Sequence, residues 1–207
     1  MSVRAVGSFG RIPLADAPRD TSMIRTSDSD PIRVDFVPDD AHGLPGRLGL
    51  TFAPGKCGRG VYAIWERDLA KDLARLRDHY ETKVLVTLIE EFEMKRASIP
   101  GLRAAVKRAG IKSLWYPIGD VSTPRDAADP IPLVREVIQH IGSGDTVVVH
   151  CMGGLGRAGT IAACVLAARG LAPARSVEVV RKTRPGALET AAQVAFVGAF
   201  RDAWREE

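Results

Sequence analysis

Two short runs of apolar, mostly β-branched residues, at 84–88 and 147–149, are each set between segments with helical periodicity. Continuous apolar runs of this length are typical of strands that are covered on both faces in a parallel sheet. Apolar residues recur at helical spacing in the segments 65–80, 101–109, 133–141, 157–169, 174–183 and 189–204. Strands that alternate with helices predict an α/β domain built from right-handed crossover units.

The remaining predicted strands define the type of sheet and the extent of the domain. Residues 32–36 and 48–52 predict two strands with no helix between them, and 111–117 and 145–150 predict two more. We therefore expect one domain, at 31–207, with a central, mostly parallel but mixed sheet flanked by helices. Residues 1–30 contain two Gly, two Pro and a Ser-Asp cluster at 27–30 without sustained periodicity, which predicts a flexible N-terminal leader or, alternatively, an arm docked on the domain or on a partner.

The composition excludes several classes of protein. The formal net charge of +4 is too small for a dedicated nucleic-acid binder, although it favours an anionic substrate. The longest apolar stretch, 161–168, is far shorter than the roughly 20 residues of a membrane-spanning helix, and no signal-peptide pattern follows the first methionine. Three cysteines are too few for a disulfide framework, so we expect a protein of the reducing cytoplasm.

The segment 150–160 carries the strongest functional signal, because it begins where a predicted buried strand ends and leads into a predicted helix. Ligands bind at the carboxyl ends of parallel strands, and a helix N-terminus presents free N–H groups to an anion. Glycines allow successive amides to turn inward around an oxyanion, and Arg157 adds a planar fork of donors. The glycines that precede Arg157 in this segment are Gly153, Gly154 and Gly156.

Cys151 lies inside this predicted anion-binding loop. Helix N-termini and neighbouring cations favour the ionised form of a thiol, so we expect Cys151 to be a thiolate and a nucleophile for phosphoryl transfer through a covalent phosphocysteine. A buried, inert cysteine would be the better interpretation if the residue stood alone, without the glycines and Arg157. A nucleotide-binding loop is disfavoured, because no Gly-Lys-Ser/Thr sequence follows.

The pattern His-Cys-(five residues)-Arg resembles the signature of the cysteine-dependent protein tyrosine phosphatases. The resemblance covers most of 45–205 and is strongest with the dual-specificity enzymes of the kinase-associated phosphatase group. Three more segments carry it: Leu-Gly-Leu with Ala-Pro-Gly in 48–55, Tyr-Pro-Ile-Gly-Asp with Thr-Pro in 116–124, and Arg-Pro-Gly-Ala-Leu-Glu-Thr with Gln in 184–193.

The resemblance implies a role for each of these residues. Cys151 would attack phosphorus, while Arg157 and the loop amides would hold the phosphoryl oxygens. Asp120, on a mobile loop, would protonate the departing Ser, Thr or Tyr oxygen and then deprotonate the hydrolytic water, work that suits a carboxylic acid on a closable loop. His150 would support the thiolate through hydrogen bonds to the backbone. The residues expected to bind phosphate through their amides are Met152, Gly153, Gly154, Leu155 and Gly156.

The sequence departs from the family at Ala158, where a Ser or Thr hydroxyl normally helps the cysteine sulfur to leave. Its loss predicts normal formation of the phosphocysteine but a hydrolysis slowed about tenfold to hundredfold. Thr160, in the first turn of the same predicted helix, is the candidate replacement. Gln193 resembles a glutamine that positions water in some relatives, and is equally interpreted as an ordinary polar residue of a helix.

Two acidic groups have open interpretations. Glu90, Glu91 and Glu93 follow the predicted strand 84–88 and are expected to form a solvated loop edge; alternatively, one of them orients Arg157 or meets basic residues of the substrate. Asp126 and Asp129 share a segment with Asp120 and are expected to be surface charges.

These observations predict a phosphoprotein phosphatase of dual Tyr and Ser/Thr specificity that needs no metal and no organic cofactor. The alternatives are a slow, pseudophosphatase-like module that binds phosphopeptides and a rhodanese-like sulfurtransferase, against which the Asp120 loop argues. The expected partner is a phosphoprotein or phosphopeptide, and neither nucleic acid nor a membrane. A multiply phosphorylated lipid is disfavoured, because the loop interior contains no lysine. The sequence carries no signal for an oligomeric state.

Overall fold

A computed structural model describes residues 24–60 and 63–207 of the chain. Its strands are β1 (Ile24–Thr26), β2 (Asp35–Phe36), β3 (Arg47–Thr51), β4 (Cys57–Arg59), β5 (Ile64–Glu66), β6 (Thr82–Thr87), β7 (Lys112–Trp115) and β8 (Thr146–His150). Its helices are α1 (Asp39–His42), α2 (Leu69–Asp78), α3 (Glu91–Arg96), α4 (Leu102–Arg108), α5 (Ile131–Gly142), α6 (Gly156–Ala168), α7 (Pro173–Thr183) and α8 (Ala191–Glu206).

The central sheet has five strands in the order β2–β3–β8–β6–β7. The strands β3, β8, β6 and β7 run parallel, and only the edge strand β2 is antiparallel to its neighbour. This confirms the predicted α/β class and the mixed, mostly parallel sheet. The apolar centres of β6 and β8 are buried to within 1% of full burial, as expected of strands covered on both faces.

Helices flank this sheet in two groups. Helices α2 and α4 pack on each other and against β6 and β7, whereas α5 and α6 contact β8. Helix α6 is buried from Gly156 to Ala167, with α5, α7 and α8 packed around it. A helix that is apolar on every side belongs in a core, and α6 is the central helix of this one.

The register of the parallel strands determines where a site can form. Both Thr51, at the end of β3, and Thr87, at the end of β6, pair with His150 at the end of β8. The three carboxyl ends are therefore level, and the segments that follow them meet at one edge of the sheet.

A small second sheet, ordered β1–β5–β4, was not predicted from the sequence. Its strands are three residues long, too short to display a period of two. Trp65, predicted to begin a helix at 65–80, lies in β5 instead. Helix α2 begins at Leu69, after Asp68, whose side chain accepts a hydrogen bond from the Lys71 N–H at 3.0 Å.

The predicted strand 32–36 is shorter in the structure, since only Asp35 and Phe36 pair with β3. Ile32 and Val34 are nevertheless buried in the core. The alternation of apolar residues at this position therefore reports which side chains are covered, and not how far the strand pairing extends.

The N-terminal part of the described chain is attached to the domain. Strand β1 pairs in parallel with β5, and Arg67 donates hydrogen bonds to the carbonyls of Thr26 and Asp30 at 3.4 and 2.7 Å. Residues 24–30, which the sequence placed in the leader, are thus part of the fold. The rest of the predicted leader, 1–23, lies outside the described residues. Within the described ranges, none of the helices is long and apolar enough to cross a membrane.

Candidate active site

Cys151 follows the last residue of β8, and the loop 151–155 leads from it into α6. The thiol is nearly buried, with 3% of the residue exposed. Its Sγ atom accepts a hydrogen bond from the Gly154 N–H at 3.2 Å. The loop is therefore turned so that an amide points at the sulfur, which is the geometry that stabilises negative charge there.

One of the three loop glycines, Gly154, has a structural requirement that a side chain would violate, whereas the nearest neighbour of Gly156 is the movable end of an exposed side chain. Gly154 has a φ of +74°, and a Cβ atom there would lie 2.3 Å from the carbonyl oxygen of Thr51. A Cβ on Gly156 would lie 2.4 Å from a carboxylate oxygen of Glu189. Gly153 has open space around it. The loop thus packs closely against the end of β3 on one side and the start of α8 on the other.

Arg157 is held by a buried carboxylate. Its Nη1 and Nη2 atoms donate to Oε2 and Oε1 of Glu93 at 2.6 and 2.9 Å, and Nη1 also donates to the Ile118 carbonyl at 2.9 Å. Arg157 is 2% exposed and Glu93 is fully buried. The bidentate pair fixes the plane of the guanidinium at the loop. The interpretation of the glutamate cluster as a solvated loop edge is wrong for Glu93, and the alternative, a carboxylate that orients Arg157, describes the structure.

Glu93 reaches Arg157 because its segment is the short helix α3 and not a loop. The Glu90 N–H donates to Glu93 Oε2 at 2.9 Å, which completes a capping box at the helix start. Burial opposes the charge of Glu93, but the hydrogen bonds from Arg157 and Glu90 outweigh it and lower the pKa of the Glu93 carboxyl. The sequence offered one signal that could have identified Glu93: it is an acidic residue just after a buried strand, at the sheet edge that carries the loop.

Asp120 also contacts the arginine. Its Oδ1 atom accepts a hydrogen bond from Arg157 Nη2 at 2.8 Å, while the side chain is 56% exposed. The two other aspartates of this segment are engaged elsewhere: Asp126 accepts from the N–H groups of residues 128 and 129, and Asp129 accepts from the Tyr116 hydroxyl. Of the three, Asp120 is the one that the fold places at Arg157.

His150 is buried beneath the loop. A carbonyl can only accept, so the 3.2 Å contact with the Cys151 carbonyl makes His150 Nδ1 the donor. Nε2 then accepts from the Thr87 hydroxyl at 2.9 Å. Burial, with a smaller contribution from Arg157, lowers the pKa of His150 to about 4. A neutral imidazole in this position braces the backbone of the loop and carries no proton to the sulfur.

Thr160 and Gln193, the two remaining candidate residues, each form hydrogen bonds near the loop. The Thr160 hydroxyl donates to the Gly156 carbonyl at 2.9 Å within α6. Gln193 is buried, forms a capping box with Thr190 at the start of α8, and donates from Nε2 to the Ser122 carbonyl at 3.1 Å. Gln193 therefore ties α8 to the loop that carries Asp120.

Two cations lie behind the loop, and the sequence had not predicted a role for either. Lys56 Nζ donates to the Met152 carbonyl at 3.3 Å, and Arg184 Nη2 donates to the Gly153 carbonyl at 3.0 Å. Arg184 belongs to the segment 184–193 that carries the family resemblance, but no role was assigned to it there. Lys56 has no local sequence signal, because it reaches the loop from a distant segment. Across the described residues, no three His, Cys, Asp or Glu side chains are grouped as metal ligands.

A parallel-sheet edge that bears a buried thiol, a helix N-terminus and an oriented guanidinium defines a site for phosphate esters. Comparison with known families agrees. The family model for PTP-SAK, described as a Swiss Army Knife protein, DSP-PTPase phosphatase domain, matches residues 60–197. The chain belongs to this family, and it is a phosphatase of the protein-tyrosine and dual-specificity type.

Curated relatives cover most of the chain. Cyclin-dependent kinase inhibitor 3 of Homo sapiens is 28% identical over 192 residues, which span 88% of this chain and 88% of the relative. The protein of the same name from Rattus norvegicus is 27% identical over 175 residues, 83% of this chain and 80% of the relative.

Solved structures show the same fold. A kinase associated phosphatase with its catalytic-site cysteine replaced by serine superposes with a TM-score of 0.77 at 24% identity, covering 85% of this chain and 97% of that one. The active form of Tk-PTP gives 0.64 at 25% identity, with 82% and 96% covered. PTPMT1 in complex with PI(5)P gives 0.63 at 19% identity, with 77% and 92% covered. These similarities confirm the dual-specificity, kinase-associated phosphatase resemblance predicted from the motifs.

Proposed function

We propose that the chain hydrolyses phosphotyrosine and phosphoserine or phosphothreonine in proteins through a phosphocysteine on Cys151. The observation that carries the proposal is the convergence of three groups on one edge of the sheet. The Cys151 thiol accepts a hydrogen bond from the Gly154 amide. Glu93 orients the Arg157 guanidinium. The Asp120 carboxylate accepts a hydrogen bond from Nη2 of the same arginine.

The first chemical step is transfer of the phosphoryl group to sulfur. Cys151 Sγ attacks phosphorus while the bond from phosphorus to the side-chain oxygen breaks. Asp120 gives its proton to that oxygen, so that a neutral phenol or alcohol leaves. Arg157 and the loop amides bind the equatorial oxygens as charge spreads over them.

The second step regenerates the enzyme. The Asp120 carboxylate takes a proton from water as the water oxygen attacks phosphorus, and the sulfur–phosphorus bond breaks to release phosphate and the Cys151 thiolate. No hydroxyl stands at position 158 to assist the sulfur, and the Thr160 hydroxyl is engaged with Gly156. This step therefore limits turnover.

The phosphoryl oxygens must compete with Asp120 for Arg157. A guanidinium has five N–H donors, and four of them are engaged by Glu93, Ile118 and Asp120. If Asp120 leaves Nη2, this N–H group becomes free next to the N–H group of Nε. The two donors can then bind two oxygens of one phosphate. The freed carboxylate would take up a proton from solvent and would then be close to the leaving oxygen, which is where an acid is needed.

The test is phosphate release from matched pTyr, pSer and pThr peptides, with PI(5)P as a lipid substrate. We expect release from the peptides, little from the lipid, and complete loss in Cys151→Ser. Cys57→Ser is the matched control, because it makes the same change at a thiol outside the site. Acid quenching should trap phosphate on Cys151 in the wild type. Full activity in Cys151→Ser, or a preference for the lipid, would contradict the proposal.

The alternative of a slow phosphopeptide-binding module is favoured by one observation, the alanine at position 158. The same experiment separates the two, since a binding module would retain the phosphopeptide without releasing phosphate over many equivalents of substrate.

A further inference from the structure

Lys56 is a buried lysine that reaches the outer face of the phosphate loop. It follows Gly55, whose φ of +70° turns the chain sharply before β4. Only 9% of the residue is exposed. Its ammonium donates to the Met152 carbonyl at 3.3 Å and lies 4.6 and 4.0 Å from the ring centroids of Phe52 and Trp65. Contacts with aromatic faces offset part of the cost of burying this charge.

The position of the contact on the loop is informative. A loop that turns its amides inward to an oxyanion must turn its carbonyls outward. The outward carbonyls of Met152 and Gly153 are consecutive, and each accepts a hydrogen bond from a cation, Lys56 and Arg184 respectively. Together with the Ala53 N–H, which also donates to the Met152 carbonyl at 3.3 Å, the two side chains hold the loop from behind in an orientation that suits phosphate binding.

The two cations differ in how their charge is balanced. Arg184 forms an ion pair with Asp35. Lys56 has no carboxylate partner within ion-pair distance among the residues described; the charged groups that act on it are Arg67, Arg184, Asp30 and Cys151. Arg67 is itself paired with the buried Asp72. Lys56 therefore supplies a positive charge to the site that no neighbouring carboxylate neutralises directly.

We infer that Lys56 is a positioning residue of the phosphate loop, which holds the Met152 carbonyl outward and stabilises the Cys151 thiolate with its charge. The inference rests on the proposed function, because it assigns Lys56 a part in the same chemistry. Desolvation by burial, and then the Arg67 cation, lower the pKa of Lys56 to about 8, while the Cys151 charge acts in the opposite direction. The lysine is therefore charged at neutral pH and becomes neutral in mildly alkaline solution.

The inference is tested by alkylation of Cys151 with iodoacetamide as a function of pH, followed by peptide mass spectrometry. Lys56→Met and Lys56→Gln should move the midpoint of the profile upward by about one pH unit and slow alkylation at about pH 6 roughly tenfold. Lys56→Gln keeps a hydrogen-bond donor for Met152 without the charge, whereas Lys56→Arg keeps the charge and the wild-type midpoint. Lys83→Met, an exposed lysine at the other end of the sheet, is the matched control and should leave the profile unchanged.

A second readout is the alkaline limb of kcat/KM on a phosphopeptide. Wild-type kcat/KM should fall above about pH 8, and in Lys56→Arg that fall should move upward by about one unit or more, because a guanidinium stays charged. A merely structural lysine would not produce this shift.

Buried Cys164 reports folding, since it is alkylated only if a variant unfolds. A Lys56→Met variant that exposes Cys164 is replaced by Lys56→Gln.

The outcomes separate this inference from the proposed function. Suppose that wild-type Cys151 is alkylated at a lower pH than a free cysteine, and that folded Lys56→Met and Lys56→Gln give the same pH profile. The role of Lys56 is then overturned and the phosphatase chemistry stands. If wild-type Cys151 behaves as an ordinary free cysteine, or if phosphate release does not need it, the proposed function itself fails.

Discussion

The Asp120 carboxylate accepts a hydrogen bond from Arg157 Nη2 at 2.8 Å, so the proposed acid occupies a donor of the proposed phosphate grip. The aspartate of this pair is accessible to solvent, with 56% of its side chain exposed. Solvent screens the exposed aspartate of this part-buried pair and weakens the attraction, so an oxyanion with two or more charges can displace the carboxylate. We therefore expect substrate binding and placement of the acid to occur as one event.

This relationship predicts opposite effects on binding and turnover in Asp120→Ala. Removal of the competing carboxylate should tighten tungstate binding about twofold to fivefold, in keeping with the small energy of a pair that solvent screens on the aspartate side. Loss of the acid should lower kcat for phosphoserine peptides by about 10²- to 10⁴-fold. Calorimetry and steady-state kinetics measure the two. Asp126→Ala, on the same segment but away from Arg157, should change neither; weaker tungstate binding in Asp120→Ala would contradict the competition.

Glu93→Gln should destabilise the fold strongly. The substitution leaves the Arg157 charge buried without its carboxylate, which typically costs about 3–5 kcal/mol in the free energy of unfolding. Because the pKa of Glu93 is lowered in the fold, its stabilisation is present above the ordinary glutamate range and is lost as the pH falls through the folded value. Urea unfolding measures the effect.

Glu91→Gln is the matched control for that experiment. Glu91 is exposed on the same helix and pairs with Lys95 at 3.2 Å. Its loss should change the free energy of unfolding by about 0.5 kcal/mol or less. Equal losses in the two variants would show that Glu93 has no special role in holding Arg157.

His150 should make the fold less stable in acid. Its pKa is 6.5 in its ordinary state and about 4 in the fold because of burial, so the unfolded chain binds the extra proton first. The free energy of unfolding should therefore fall by about 1.4 kcal/mol per pH unit as the pH drops through this window, about 3 kcal/mol in total. His150→Gln should reduce that slope and the exposed His79→Gln should not. Some slope should remain, since burial also lowers the pKa of His42; an unchanged slope in His150→Gln would contradict the assignment.

Ala158→Ser should raise turnover by restoring a donor to the leaving sulfur. In the wild type we expect a burst of product equal to the enzyme concentration, followed by slow turnover, because formation of phosphocysteine needs no such donor. The variant should raise the slow rate about tenfold, the value of one hydrogen bond to a charged group. Rapid-quench kinetics resolves the burst. Ala162→Ser, one turn farther along α6, should leave the slow rate unchanged, and linear progress curves in the wild type would be evidence against slow hydrolysis.

The fold and the loop were predictable because their determinants are local. Strand β8 is a continuous apolar run, and the glycines and Arg157 follow it directly, so strand, turn and helix start can be identified within one short stretch of chain. The same is true of α6, whose apolar residues on every side predict burial. Asp120 was identified by its motif, but its contact with Arg157 was not visible in the sequence.

Tertiary structure alone determined which distant groups complete the site. The sequence by itself established the α/β core and the strand–turn–helix segment that carries Cys151, since spacing reports local conformation and burial. It did not establish that Glu93, rather than its neighbours, orients Arg157, or that Lys56 lies behind Met152. Those contacts depend on the level carboxyl ends of β3, β6 and β8, and that register is fixed only when the whole sheet is assembled and buried.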